Sequence, residues 1–355
     1  MANFDDMALA VESFGGSNKV IFDNVGLPSI MVGVPKMKYK DVITGGIDEV
    51  LPWWVVDGVE KEVIWVSKFQ NVVVNDRAYS LALKDPRASI NFDTALNACK
   101  NKGEGWHLNQ NGVFSAINLW CQKNGTVPRG NTDYGQDFNK PWEKAIRSAS
   151  ETYETDKIRT TRTATGSGPA TWYHNHDTAG IADLCGNVWE WVSGLRLVDG
   201  EIQIIPYGNS MKNACNMGAN STEWKAIKPD GSLVAPGTAG TLKIDRTSAS
   251  DSTLRINTSI TNQTTDSNDT SSAFKDVKAT SGVSIPNILI AAGLFPESTA
   301  TYGGDRIYGR NNGERLPLRG SGYDNRELAG ASGLNLNYPR SGSDSLVGFR
   351  SAFVE

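Results

Sequence analysis

Cysteine is scarce in this 355-residue chain. Cys99, Cys121, Cys185 and Cys215 are the four it has, and no two of them form a CxxC pair, so a zinc cluster has no support. Three of the four fall within apolar patterns, where a buried free thiol is the ordinary outcome. Histidine is scarcer, with three. His174 and His176 would share one face of an extended stretch, but with no third ligand in view they read as polar loop residues. A charge excess of one sign is missing as well: the net charge is −4, and no Lys/Arg cluster offers a surface that tracks phosphates, which argues against nucleic acid as a partner. No apolar run is long enough to span a bilayer, so membrane insertion by a helix is not expected. From Met1 to Ala10 acidic residues stand where a secretory leader has a basic start and an apolar stretch. The expectation is a protein that stays in its cell, or leaves by a route needing no leader, such as within a virus particle. Tryptophan is absent from the last third: all ten lie between Trp53 and Trp224, which implies a core built on large aromatic anchors.

A chain of this length buries a large core, as one domain with insertions or as two ordinary ones. Residues 1–27 read as an N-terminal arm or attachment element, with Gly15-Gly16 and then Val20-Ile21-Phe22, which is otherwise simply a first strand. Strands are expected over Trp53–Leu81, where Trp53-Trp54-Val55-Val56, Val63-Ile64-Trp65-Val66 and Val72-Val73-Val74 are separated by the turn pairs Asp57-Gly58 and Asn75-Asp76. Two helices follow. Phe92, Leu96 and Cys99 recur with helical spacing between an Asn91 cap and a Gly103 stop; Val113, Ile117, Trp120 and Cys121 do so between Asn111 and Gly125. After Tyr134 the chain turns irregular and rich in Gly, Asn and Thr. From about 228 to 283 it is polar, with sparse apolar alternation such as Leu254, Ile256 and Ile260, and reads as a β or loop insertion in a domain spanning 28–355.

Three segments carry a resemblance. The helix pair around Asn91–Gly125 is joined by Gly105-Trp106-His107-Leu108. Gly180-Ile181-Ala182-Asp183-Leu184-Cys185 runs into Gly186-Asn187-Val188-Trp189-Glu190-Trp191-Val192. Leu318-Arg319-Gly320 leads on to Val347-Gly348-Phe349-Arg350. Together these resemble the formylglycine-generating-enzyme branch of the C-type-lectin-like fold, an α+β architecture; the Gly-Asn-Val-Trp-Glu-Trp motif is highly specific, and the likeness covers roughly residues 50–220 and 300–355. In the motif, Gly186 and Asn187 permit a tight turn, after which Val188, Trp189 and Trp191 place bulky groups on both faces of a strand. Oxidase members of that family bind copper and attack substrate through paired cysteines near the C-terminus. Here no cysteine follows Cys215, so that thiolate chemistry has no residues to run on and an enzyme is not expected.

The terminal segment, about 319–350, is similar instead to the variable repeat of diversity-generating retroelement proteins, in which a reverse transcriptase rewrites template adenines so that Asn codons become many others. The resemblance implies that Gly322, Asp324, Leu328, Tyr338, Gly342, Asp344, Ser345 and Leu346 are variable ligand-contacting positions, while the bracketing Arg, Gly, Leu and Phe stay as in the template. Ser321 departs from a common Gly and Tyr323 from a common Trp; Tyr323 and Tyr338 are the aromatic hot-spot candidates, though Tyr338 reads equally as a half-buried structural ring. The family also implies a structural calcium held by Asp183 and Glu190 side chains and the Gly186 and Val188 carbonyls, although Glu190 could instead accept from backbone amides. No other cofactor is expected. The expected function is non-catalytic recognition of a protein or glycan ligand on a bacterial cell surface, at the tip of a phage tail, as a homo-oligomer, a trimer being common there. The alternatives are a cytoplasmic bacterial ligand binder with the same module, and an oxidase of the formylglycine-generating type.

Overall fold

The caps set the two longer helices. In the computed structural model, which describes residues 4–13, 15, 17–267 and 270–355, helices span Phe92–Lys100 and Asn111–Asn124. The first begins as expected, the Asn91 side-chain oxygen accepting from the Thr94 amide at 2.9 Å; this satisfies one of the amides a helix start leaves without a partner. The second is capped by Gln110, not Asn111: Gln110 accepts from the Val113 amide at 3.1 Å. Asn111 is drawn away by a long-range demand. Its Oδ1 accepts from Arg319 Nε at 2.9 Å and its Nδ2 donates to the Ala292 carbonyl at 3.0 Å. Gly125, at φ 69°, ends this helix in the left-handed conformation.

Sheets make up most of the remaining regular structure, so the architecture is α+β. A five-stranded antiparallel sheet runs in the order Asn18–Phe22, Pro28–Pro35, Val63–Ser67, Ser351–Phe353, Trp106–Leu108. The last strand of the chain is thus inserted between two early ones. Asn18–Phe22 lies at the sheet edge with Val20 and Ile21 buried, so the second half of the expected arm is part of the body; its first half holds the helix Asp5–Ser13, and residues 1–3, 14 and 16 lie outside the described set.

A six-stranded sheet carries the motif. Trp189–Trp191 pairs antiparallel with Leu318–Arg319 on one side and parallel with Val347–Phe349 on the other, in the register Glu190↔Gly348. Leu334–Leu336, Arg306–Gly309 and Ser271–Ala273 complete it beyond Leu318–Arg319. The polar 228–283 stretch is woven into two sheets. Lys243–Arg246 and Leu254–Asn257 extend the sheet that contains Glu201–Ile204, whereas Ser271–Ala273 joins the motif sheet; residues 268 and 269 are outside the described set. Of the alternating apolar residues Leu254 and Ile256 are buried, whereas Ile260 is half-buried.

Trp53, Trp54, Trp106, Trp172, Trp191 and Trp224 are among the largest fully buried side chains, and all four cysteines are buried and free. One apolar cluster gathers Phe92, Leu96, Trp189, Trp191, Leu318, Val347 and Phe349, with Tyr338 and Leu346 packed against its outer side. It is the floor on which the terminal segment lies. Because Phe349 is fully buried there, Phe349→Ala should cost about 3–5 kcal/mol in a denaturant titration. Trp142→Ala, at a ring that is 72% exposed, should shift the same curve by about 0.5 kcal/mol or less.

Candidate functional site

The segment 319–350 is fixed first at its entry. Arg319 is buried with neutral acceptors: Asn111 Oδ1 at 2.9 Å, the Ala292 carbonyl at 2.7 Å and the Gly293 carbonyl at 3.2 Å. Burial pushes its pKa down to about 9. Gly320 follows, its carbonyl accepting from the Gly186 amide at 2.7 Å. Ser321 then sits at φ 72°, a conformation that favours glycine. Its hydroxyl accepts from the Gly330 amide at 3.1 Å and donates to the Gly330 carbonyl at 3.2 Å, which holds this serine in place.

The middle of the segment is held by Asp305, whose Oδ2 accepts from the Ser332 amide at 2.8 Å. A Cβ at Gly330 would stand 1.6 Å from Asp305 Oδ1, so glycine alone fits that turn. Burial raises the Asp305 pKa from 3.8 to about 7.

The expected variable positions are largely brought together. Leu346 stands 3.1 Å from where a Gly322 Cβ would be, Ser345 lies beside the Tyr323 hydroxyl, and the Tyr338 hydroxyl donates to Asp344. A Cβ on Gly342 would come 2.7 Å from the Tyr338 ring, so enlarging that position requires the ring to move. Asp324 is half-buried and forms no ion pair among the described residues; burial raises its pKa, and the negative charges of Asp344 and Glu151 add to the shift. Leu328 stands apart from these contacts, 38% exposed on the short turn Arg326–Leu328.

Two positions depart from the expected exposure. Gly322 and Tyr323 are buried. Tyr323 is held there by main-chain bonds: its amide donates to the Asn187 carbonyl at 3.2 Å and its own carbonyl accepts from the Tyr134 amide at 2.9 Å. It therefore serves as a support under the surface. Tyr338 is half-buried, edge-on to Trp191 with ring centroids 6.1 Å apart, combining the two roles left open for it. Ser345 is exposed, and Asp344 and Leu346 are half-buried.

Sequence reasoning missed the neighbouring wall. The hairpin of Ser150–Glu154 and Lys157–Thr160 places the Arg159 guanidinium 3.7 Å over the Tyr134 ring, and Tyr134 in turn packs 5.6 Å from Tyr323. Arg326 pairs with Asp133 at 3.3 Å. The Tyr153 and Ile158 side chains of that hairpin are exposed. The available signal was the run Thr152-Tyr153 and Ile158-Arg159-Thr160 around Asp156, a short strand–turn–strand pattern within a polar stretch.

The calcium reading does not fit. The Asp183, Gly186 and Val188 carbonyls and Glu190 Oε1 do converge, but on Gln70 Nε2, at 3.2, 3.3, 3.2 and 3.1 Å. Asn187, at φ 67°, orients that amide by donating to Gln70 Oε1 at 2.9 Å. The Asp183 carboxylate faces away and accepts from the Gly166 amide at 2.8 Å. Arg350 binds both Glu190 oxygens, at 2.5 and 2.6 Å, and donates to the Asp183 carbonyl at 3.2 Å. An amide and a guanidinium thus stand where the ion was expected, and a calcium ion would meet the Arg350 charge. Nor do the histidines form a metal pair. His174 Nδ1 accepts from the Ile181 amide, burial pushing its pKa to about 4, and no group of three or more His, Cys, Asp or Glu able to hold a metal ion occurs among the described residues.

No family model matches the chain, and no curated protein does. Among solved structures it is similar to the Major Tropism Determinant U1 variant, at 10% identity and a TM-score of 0.31, over 92% of this chain and 63% of that one. The chain therefore spans less than two thirds of that protein. It is also similar to Treponema denticola variable protein 1, at 10% identity and a TM-score of 0.36, over 96% and 100% of the two chains. A structure of PvdO from Pseudomonas aeruginosa is similar at 11% identity and a TM-score of 0.29, over 96% and 100%. Likenesses this distant do not bear on what the chain binds.

Two outcomes are expected from this geometry. Excess chelator should leave the melting temperature unchanged, whereas Glu190→Gln, which strands the Arg350 charge, should cost about 3–5 kcal/mol; a chelator-sensitive melting curve would restore the metal. The second concerns pH. The folded pKa of Asp305 is raised above the ordinary 3.8, so the stability it gains by holding a proton is complete in acid below about 4 and is lost as pH rises through about 7. The melting temperature of wild type relative to Asp305→Asn should therefore fall as pH is raised from 4 to 8, and a gap that does not change with pH would show Asp305 to be ionised throughout.

Proposed function

We propose that this chain is a non-catalytic binding protein with a C-type-lectin-like fold of the formylglycine-generating-enzyme type, and that 319–350 is its diversified recognition surface. The observation that carries the reading is the division of labour within that one segment. Arg319, Leu334, Leu336, Val347, Phe349 and Arg350 are buried, while Asp324, Leu328, Tyr338, Asp344, Ser345 and Leu346, interleaved with them, reach the surface in whole or in part. Side chains that project from a rigid support can vary without unfolding it, because exposed substitutions change stability by about 0.5 kcal/mol or less. The cysteine pair of the family's oxidase chemistry has no counterpart here. All four thiols are buried, and burial pushes their pKa values upward, away from the reactive thiolate.

On this reading the ligand is a protein or glycan on a bacterial cell surface, met as a receptor at the tip of a phage tail, with symmetric copies adding avidity if the assembly is a trimer. Aromatic and acidic side chains side by side, as with Tyr338 and Asp344, suit recognition that combines contact area with directed hydrogen bonds.

The test is adsorption to a panel of bacterial cells. The triple variant Asp324→Ala, Leu328→Ala, Ser345→Ala should unfold within about 0.5 kcal/mol per site of the parent. It should nevertheless lose adsorption to whichever cells retain the parent, since a few contacts carry most of the energy of an interface. A triple variant that adsorbs like the parent would contradict the reading.

A further inference from the structure

A cavity of about 410 Å3 lies beside the five-stranded sheet, and none of residues 319–350 lines it. Its walls are apolar where Ile30, Phe69 and Leu83 face it, with Val11 contributed by the helix Asp5–Ser13. Lys68 enters this setting directly after the strand Val63–Ser67. Its main chain is fixed on both sides, the amide donating to the Ile30 carbonyl at 3.0 Å and the carbonyl accepting from the Ala182 amide at 2.9 Å. The ammonium donates to Asn18 Oδ1 at 2.8 Å, and Asn18 is itself braced on the Ala179 carbonyl at 2.7 Å.

Beside the Phe69 ring, 6.0 Å away, this is the one hydrogen bond of the ammonium among the described residues, which leaves two of its three donors without a protein acceptor there. Among the described residues Lys68 makes no ion pair within 4 Å; the negative charge felt there is that of Asp177, whose Oδ1 accepts from the Ala179 amide. Burial lowers the Lys68 pKa to about 8. Tyr173, also on the wall, donates its proton to the Gly166 carbonyl at 2.9 Å, and so offers the cavity an acceptor and no donor. A half-buried cation short of partners is stabilised by an incoming anion. One positive charge with Asp177 close by favours a singly charged anion over a phosphate dianion.

We propose that this cavity binds a small amphiphilic monocarboxylate, with its chain against Ile30, Phe69 and Leu83 and its carboxylate on the Lys68 ammonium. The volume lies in the range of small-molecule sites, roughly 300–1,000 Å3. None of the residues that line the site belongs to the terminal segment.

Titration calorimetry on the full chain at pH 7, with octanoate and with octanamide, tests this directly. Octanoate should bind saturably with one site, and octanamide roughly tenfold more weakly or worse, because the charge-assisted bond is lost. Lys68→Met should weaken octanoate by a similar factor, with an unchanged melting curve. Raising the pH from 7 to 10 should weaken octanoate binding to the wild type and spare Lys68→Arg, whose charge persists. Equal binding of octanoate and octanamide to the wild type, or no binding of either, overturns the proposal. So does a pH series that is flat for the wild type; these readouts hold even if Lys68→Met fails to fold.

Discussion

The guanidinium of Arg350 lies fully buried against the carboxylate of Glu190, and the terminal segment takes its position from that contact. Removing two charges from water costs several kcal/mol per ion, which attraction alone does not restore unless the remaining donors and acceptors are also met. Here they are. Arg350 reaches the carbonyls of Ser67, Ala182 and Asp183 as well as both Glu190 oxygens, and Gln70 donates to Glu190 in turn. Glu190 is the middle residue of Trp189–Trp191, and Arg350 lies between the last two strands of the chain. Their pairing holds the parallel register Glu190↔Gly348 and joins the motif sheet to the five-stranded sheet.

At the other end of the segment a second buried cation does comparable work with different chemistry. Arg319 has an amide side chain and two carbonyls as partners. The stretch between these two arginines has clamped ends, is held by Asp305 through the Ser332 amide, and is paired into the motif sheet at Leu334–Leu336 and Val347–Phe349. Such a stretch would keep its path if its surface side chains were changed, because the bonds that define the path are made by main-chain atoms and by the anchors. The limits of that freedom are equally physical: Gly330 has no room for a Cβ, and Gly342 gains one only if Tyr338 moves.

Much of this was legible in the sequence. Helical spacing and the Asn91 cap located the first of the two longer helices, the Gly-Asn-Val-Trp-Glu-Trp run contains the strand Trp189–Trp191, and the bracketing Leu318–Arg319 and Val347–Phe349 are the two strands that flank it. What was illegible depended on contacts distant in sequence. Asn111 looked like a cap because nothing local shows that Arg319 would claim it. Gln70 gave no sign that its amide would fill a cradle formed by residues 183–190. Tyr323 resembled a surface hot spot until its main chain was seen tied to Asn187 and Tyr134. The hairpin over 150–160 was passed over because its alternation is short and mostly polar.

The central claim is that one segment holds both an invariant frame and a free surface, and a saturation library over residues 319–350 sorted by protease resistance tests it most directly. The expected map shows broad tolerance at Asp324, Leu328 and Ser345 and near-complete intolerance at Arg319, Gly330, Phe349 and Arg350, with Tyr338 and Gly342 between and coupled to each other. A map in which the arginines and Phe349 accept substitution as readily as Leu328 and Ser345 would contradict the account.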